Sequence, residues 1–212
     1  MMAPERCSCT CKVYFVVDNR YAKQLVQELV ELFKQYNLIG GSVCVDVDVS
    51  DAANMCSEKM GRYVRGAVGD YNLIVVLVDS EGVDPSVVRK RILEEHVGQV
   101  DGSSSRVKIL IAHPCLEAWL CEAMGIASCY SGTCGEAVDA IISRYEGKYE
   151  KKTLKRMLPT LMVRELSRKL GEYPEAVRSK GSKDELVRVL PSQLGELVRE
   201  VSAHCLEQQC KS

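Results

Sequence analysis

Four acidic residues stand where strand-like segments of this chain give out or turn: Asp18, Asp79, Glu81 and Glu117. Asp18 follows the apolar run Lys12-Val-Tyr-Phe-Val-Val17, and Asp79-Ser80-Glu81-Gly82 follows Tyr71-Asn-Leu-Ile-Val-Val-Leu-Val78. Glu117 lies one turn into a helical segment behind Val107-Lys-Ile-Leu-Ile-Ala112 and His113-Pro114. If the strands are parallel, these residues meet outside the carboxyl edge of one sheet, where open α/β folds bind ligands. Carboxylates gathered there repel one another unless a cation neutralises them. All-oxygen donors of this kind suit Mg²⁺ or Mn²⁺, which also bridge to phosphates.

The elements that must position these residues are legible as alternating patterns. Lys12–Val17 reads as a strand and Tyr21–Tyr36 as a helix, with Leu25, Leu29, Leu32 and Phe33 at helical spacing. Ser42–Val49 alternates Val with Cys44, Asp46 and Asp48, the pattern of a half-buried or edge strand. Ser50 or Asp51 is placed to cap a helix reaching Val68. Tyr71–Val78 is apolar on both faces, so it should be a central strand. Asp84 and Pro85 open a helix through His96, and Val107–Ala112 makes a further strand before the helix Cys115–Met124. Beyond Gly125 the segments Glu136–Tyr145, Thr153–Leu170, Lys183–Val189 and Gln193–Glu207 read as helices, punctuated by Pro159, Gly171, Pro174 and Pro191. The expected fold is α/β, a small parallel, Rossmann-like sheet of about four strands flanked by helices, with a helical C-terminal extension. Residues 1–125 form the α/β core and 126–212 the extension, which is expected to pack on that core.

Composition narrows the function classes. Apolar residues at 46% and charged residues at 27% describe a folded chain, not a disordered one. The longest apolar runs, Leu73–Val78 and Val107–Ala112, are far too short for a bilayer, and the N-terminus lacks a signal-peptide stretch, so a cytoplasmic protein without membrane contact is expected. A net charge of -1 excludes a simple polyanion binder. Between Glu150 and Arg188, however, eleven Lys or Arg face six Asp or Glu, an excess that can mark nucleic acid or merely a solvated helical face. The eleven cysteines include no paired Cys-x-x-Cys spacing, and three histidines are too few to complete zinc sites; buried thiols and some disulfides are expected instead. No Gly-x-Gly-x-x-Gly follows the first strand, and no Gly-Lys-Ser/Thr phosphate loop occurs. A phosphoryl-aspartate site would need a second Asp two residues after the first, where Glu81 stands.

The order strand–Asp18, strand–Asp79-Ser80-Glu81, strand–Pro114-Cys-Leu-Glu117-Ala-Trp119-Leu120 resembles the Toprim fold, nearest to the RloB-type, mobile-element and phage-defence Toprim-like families. Their Pro-x-x-Glu-x-Trp-Leu element matches Pro114, Glu117, Trp119 and Leu120, and the resemblance covers roughly residues 12 to 125. It implies a divalent-metal-dependent phosphodiester enzyme of nuclease type acting on nucleic acid. Asp79 and Glu81 would hold Mg²⁺ or Mn²⁺, Asp18 would move a proton with Glu117 nearby, and Lys180 or Lys183 would contact phosphates. The chain departs from the family pattern in having Asp for Glu at Asp18, Glu for Asp at Glu81, and Asn19 where a glycine is usual.

Each residue also has a plainer reading. Asp18 can cap the first helix, Glu81 can be an exposed turn residue, and Glu117 a surface charge. Trp119 suits a core, and His113 a backbone-satisfied position more than a metal ligand. The rival for the whole chain is a catalytically inactive nucleic-acid-binding or protein-interaction subunit of a defence or mobile-element system.

Overall fold

The computed structural model describes residues 11–50, 58–97, 106–126, 132–173 and 183–209. Its centre is a four-stranded, all-parallel sheet in the order β2-β1-β3-β4, built from β1 (Cys11–Val17), β2 (Val43–Val49), β3 (Leu73–Asp79) and β4 (Val107–Ala112). β1 and β3 are central, and their side chains divide by parity as a pleated strand requires. Val13, Phe15, Val17, Leu73, Val75 and Leu77 enter one apolar cluster. Tyr14, Val16, Ile74, Val76 and Val78 enter a second on the opposite face. The apolar run of β3 thus reflects a strand covered on both sides, and the alternating β2 is an edge strand.

Helices α1 (Arg20–Gln35), α4 (Leu116–Ala123), α5 (Cys134–Arg144), α6 (Lys151–Gly171), the single turn α7 (Lys183–Val187) and α8 (Ser192–Gln209) contribute to the first cluster. On the other face lie α2 (Glu58–Ala67) and α3 (Pro85–Ile92), which continues as a π-helical turn over Leu93–Val97. The chain leaves β1 in one direction to form β2 and returns past β1 to form β3, so the helices change faces between the two crossovers. That reversal opens a crevice between the carboxyl ends of β1 and β3, the place where such sheets bind ligands.

Several sequence expectations shift by a residue or two, and two differ in kind. Ser50 does not cap α2: its N–H and hydroxyl both bond the Val17 carbonyl, at 2.8 and 3.1 Å, closing the β1–β2 pair beyond its last rung. Asp51, the other candidate cap, lies outside the described residues. Pro159 sits inside α6, as the expected helix Thr153–Leu170 requires, buried against the core, where it has no N–H to offer the carbonyl one turn back at Lys155. His113 is exposed and finds its partner in a side chain, the Ser80 hydroxyl at 2.8 Å from Nδ1, not in the backbone.

Residues beyond 125 share the first apolar cluster with β1, β3 and α1. Tyr36, the C-cap of α1, donates to the Ser167 carbonyl of α6, Lys108 of β4 pairs with Glu200 of α8 at 3.0 Å, and the Trp119 indole donates to Gln193 at 3.0 Å. A disulfide joins Cys11 at the start of β1 to Cys205 in α8, 194 residues apart. Cys44 and Cys121 are also disulfide-bonded, whereas Cys115 and Cys134 are free thiols. Among the described residues no helix is long and apolar enough to cross a membrane. A cross-link over so long a loop should remove much unfolded-state entropy. The Cys11→Ser/Cys205→Ser double variant is therefore expected to lose about 2–5 kcal/mol in urea denaturation. An unchanged midpoint would show that α8 is held by packing alone.

Candidate functional site

The crevice takes its shape from how β1 and β3 end. β3 runs through Asp79, whose odd-numbered position points it to the same face as Val75 and Leu77. Its Oδ1 accepts the Leu116 N–H at 2.9 Å, one of the free donors in the first turn of α4. The same turn carries Glu117, only 5% exposed. Between the two elements Ser80 is fully buried, and its hydroxyl contacts His113 Nδ1 at 2.8 Å and the Pro114 carbonyl at 3.3 Å. The His113–Pro114 peptide is cis. A serine so enclosed, with its hydroxyl engaged on both sides, clamps the β4–α4 turn and is shielded from any substrate. The Pro-x-x-Glu-x-Trp element therefore does two jobs: Trp119 docks the C-terminal helices, and Glu117 faces the crevice.

At the end of β1 the cap is Asn19. Its Oδ1 accepts the N–H groups of Tyr21 and Ala22, both at 2.9 Å, and its Nδ2 donates to Asp18 Oδ1 at 2.7 Å. The reading of Asp18 as the helix cap is thereby corrected. Neighbouring Asn and Asp compete for that role, and the residue whose backbone is extended immediately before the first helical turn takes it. Asp18 is left beside Asp79 instead, accepting backbone N–H groups from Asp79, from itself and from Asn19.

A pocket of about 210 Å³ opens here, lined by Asn19, Tyr21, Asp79, Leu116, Glu117, Lys155 and Leu158. Burial first, and then the neighbouring Asp18 and Glu117 carboxylates, push the Asp79 carboxyl up to about 8, against the Leu116 N–H and Lys155, which pull the other way. Burial likewise raises Asp18 to about 6, against the backbone donors that favour its ionised form; Glu81 adds to the rise. Burial also raises both free thiols, Cys115 before α4 and Cys134 at the head of α5. Glu117 raises both further, so neither is an activated thiolate.

The sequence-predicted residues thus separate. Asp79 lies within electrostatic reach of both Asp18 and Glu117, and of these two only Glu117 shares the pocket lining with it. Glu81 lies in the turn after β3, exposed and with a φ of 50°; it is sensed by Asp18 but does not line the pocket. Lys183 opens α7 and is exposed, away from the lining residues, while Lys180 lies outside the described residues. The basic residue at the pocket is Lys155 of α6, and the aromatic one is Tyr21 of α1. Sequence reasoning passed over both. Lys155 sat inside the noted basic excess and Tyr21 at the noted start of the first helix, and neither position singles the residue out.

No family model, curated protein or solved structure matches this chain. The site is read from its own chemistry. Among the described residues no group of three or more His, Cys, Asp and Glu is arranged to hold a metal ion. What the pocket offers is a pair of carboxylates, Asp79 and Glu117. That donor set fits Mg²⁺ or Mn²⁺, which commonly use one or two carboxylates with water and substrate phosphates completing the shell. The raised Asp79 supports the fit, since an added cation would offset both the burial that chiefly lifts it and the repulsion from Asp18 and Glu117.

The Asp79 shift has a sign for stability. A carboxyl raised in the folded state binds its proton more tightly there than in the unfolded chain. The stability it lends is complete below about pH 4, where unfolded Asp also holds its proton, and drains away as pH rises towards about 8. Asp79→Asn keeps an oxygen for the Leu116 N–H and cannot ionise. Relative to wild type, it should gain about 1–3 kcal/mol between pH 5 and pH 9 without divalent metal, followed by thermal or urea denaturation. A difference independent of pH would mean that the carboxyl is ordinary.

Proposed function

We propose that the chain is a divalent-metal-dependent phosphodiester enzyme of Toprim-like type, acting on nucleic acid. The observation that carries this reading is the meeting of Asp18, Asp79 and Glu117 at the β1–β3 switch point, beside Lys155, with Asn19 taking over the capping role.

Asp79 and Glu117 are the residues that would hold Mg²⁺ or Mn²⁺. A cation bound there supplies positive charge to a phosphodiester and to its attacking water. Asp79 is oriented for this by the Leu116 N–H, which fixes one oxygen and leaves the other for the pocket. Asp18, with a carboxyl near 6, can take and return a proton close to neutral pH, the property required of a general acid or base. Asn19 holds it in place through a 2.7 Å hydrogen bond. Lys155 brings a positive charge to the mouth of an otherwise acidic pocket and so attracts the phosphate that the carboxylates would repel. Glu81, exposed in the turn after β3 and not among the residues lining the pocket, is left out of this cation site.

Cleavage of labelled DNA and RNA, single- and double-stranded, with Mg²⁺ or Mn²⁺ tests the proposal. Wild type is expected to cut, with the rate falling below about pH 6 as Asp18 protonates. Asp79→Asn and Asp18→Asn should each lower kcat/KM by about a hundredfold or more. A folded protein that cuts none of these would return the chain to the inactive-subunit reading. Cutting that survives in Asp79→Asn would place the chemistry elsewhere.

A further inference from the structure

Next to the carboxylates the pocket presents an aromatic ring. Tyr21 is half-buried in the first turn of α1, and the exposed Arg20 guanidinium lies over one face of its ring at 5.3 Å from the centroid, which leaves the other face for a base and adds a cation beside it. Lys155 enters the same pocket from α6. Elsewhere along α6 the basic side chains are engaged: Lys151 pairs with Asp139, Arg164 with Glu165, Arg168 with Glu165 and Glu172, and Lys169 donates to the Glu122 carbonyl. Lys152, Lys155 and Arg156 differ. All three are exposed, none has an ion-pair partner among the described residues, and the spacing 152, 155, 156 puts them on one helix face. Unpaired cations on α6 are therefore concentrated at the turns nearest the pocket.

The dimensions decide what this combination fits. A pocket of about 210 Å³ accepts a phosphodiester with part of a sugar but not a base pair, so the remainder of a polymer must lie outside it, along a charged surface. An aromatic ring beside a backbone track recognises bases by their faces, and those faces are open only where the base is unpaired. We infer that the pocket takes single-stranded nucleic acid, with a base stacked on Tyr21, the adjoining phosphate on Lys155, and the outgoing backbone along Lys152 and Arg156. This rests on the proposed function only for the location of the reacting phosphate. The binding surface itself stands on the ring, the cations and the size of the pocket.

The test is fluorescence anisotropy with a short labelled strand of mixed sequence, as DNA and as RNA, against the duplex of the same sequence. Ca²⁺ replaces Mg²⁺, and strand integrity is followed on a gel. Single strands should bind at least tenfold tighter than duplex. Tyr21→Ala should weaken binding about tenfold, while Tyr21→Phe, which keeps the ring, should stay within about twofold. Lys155→Ala should weaken binding and reduce the slope of log affinity against log salt by about 0.7, whereas Tyr21→Ala should leave that slope unchanged. Circular dichroism confirms that each variant is folded. Equal affinity for duplex, an indifferent Tyr21→Ala, or no binding of any strand would overturn the inference. Tyr21-dependent binding with no cutting in Mg²⁺ or Mn²⁺ would uphold it and sink the enzyme. Cutting of duplex without such binding would do the reverse.

Discussion

The hydrogen bond from the Leu116 N–H to Asp79 Oδ1 joins the end of a central strand to the first turn of the helix that carries Glu117. A carboxylate at the end of so apolar a strand is costly unless something receives it. The donor at the head of α4 meets part of that cost, and in doing so sets how Asp79 and Glu117 face the same cavity. Beyond this bond the arrangement remains short of positive charge. Two carboxyls stay raised by burial, and Lys155 is the one basic residue lining the pocket. The edge of the sheet is therefore held in a state that a divalent cation, or a cation with a bound phosphate, would relax.

The C-terminal helices complete that edge. α6 packs against α1 and α4 and brings both Lys155 and Leu158 to the pocket. Trp119 stands two residues after Glu117, and its indole reaches Gln193 of α8, so the helix that presents the acid is also the one to which the last helix is docked. The Cys11–Cys205 disulfide ties α8 to the opposite, amino-terminal end of β1. A site at one edge of the sheet thus depends on segments that begin more than a hundred residues later in the chain.

This division explains what could be read from the sequence. The strands were visible because a doubly covered parallel strand must be apolar on both faces, as in Leu73–Val78, while an edge strand alternates, as in Val43–Val49. Asp18 and Asp79 were visible because strand ends in a parallel sheet converge. Which of Asp18 and Asn19 would cap α1 was not: both side chains are chemically able, and backbone direction at a single residue decides. Glu81 illustrates the opposite error. The turn at Ser80–Gly82 carries it out to solvent and away from the pocket lining, and nothing in a two-residue spacing reports that. Pro159 did not hide the helix Thr153–Leu170, because the apolar spacing continues on both sides of it, and its burial in the core accompanies a helix of 21 residues. Tyr21 and Lys155 gain their meaning only from the packing of α1 against α6, a tertiary fact with no local signature.

The central claim is that Asp79 and Glu117 form one divalent-cation site in which a proton and a metal ion compete. Isothermal titration of Mn²⁺ at pH 7, repeated in two buffers of different ionisation enthalpy, addresses it most directly. One ion should bind per chain with release of protons, because Asp79, raised to about 8, holds a proton for much of the time before the ion arrives. Both the heat and the proton release should vanish in Asp79→Asn. Binding without proton release, or binding that persists unchanged in the variant, would contradict the account.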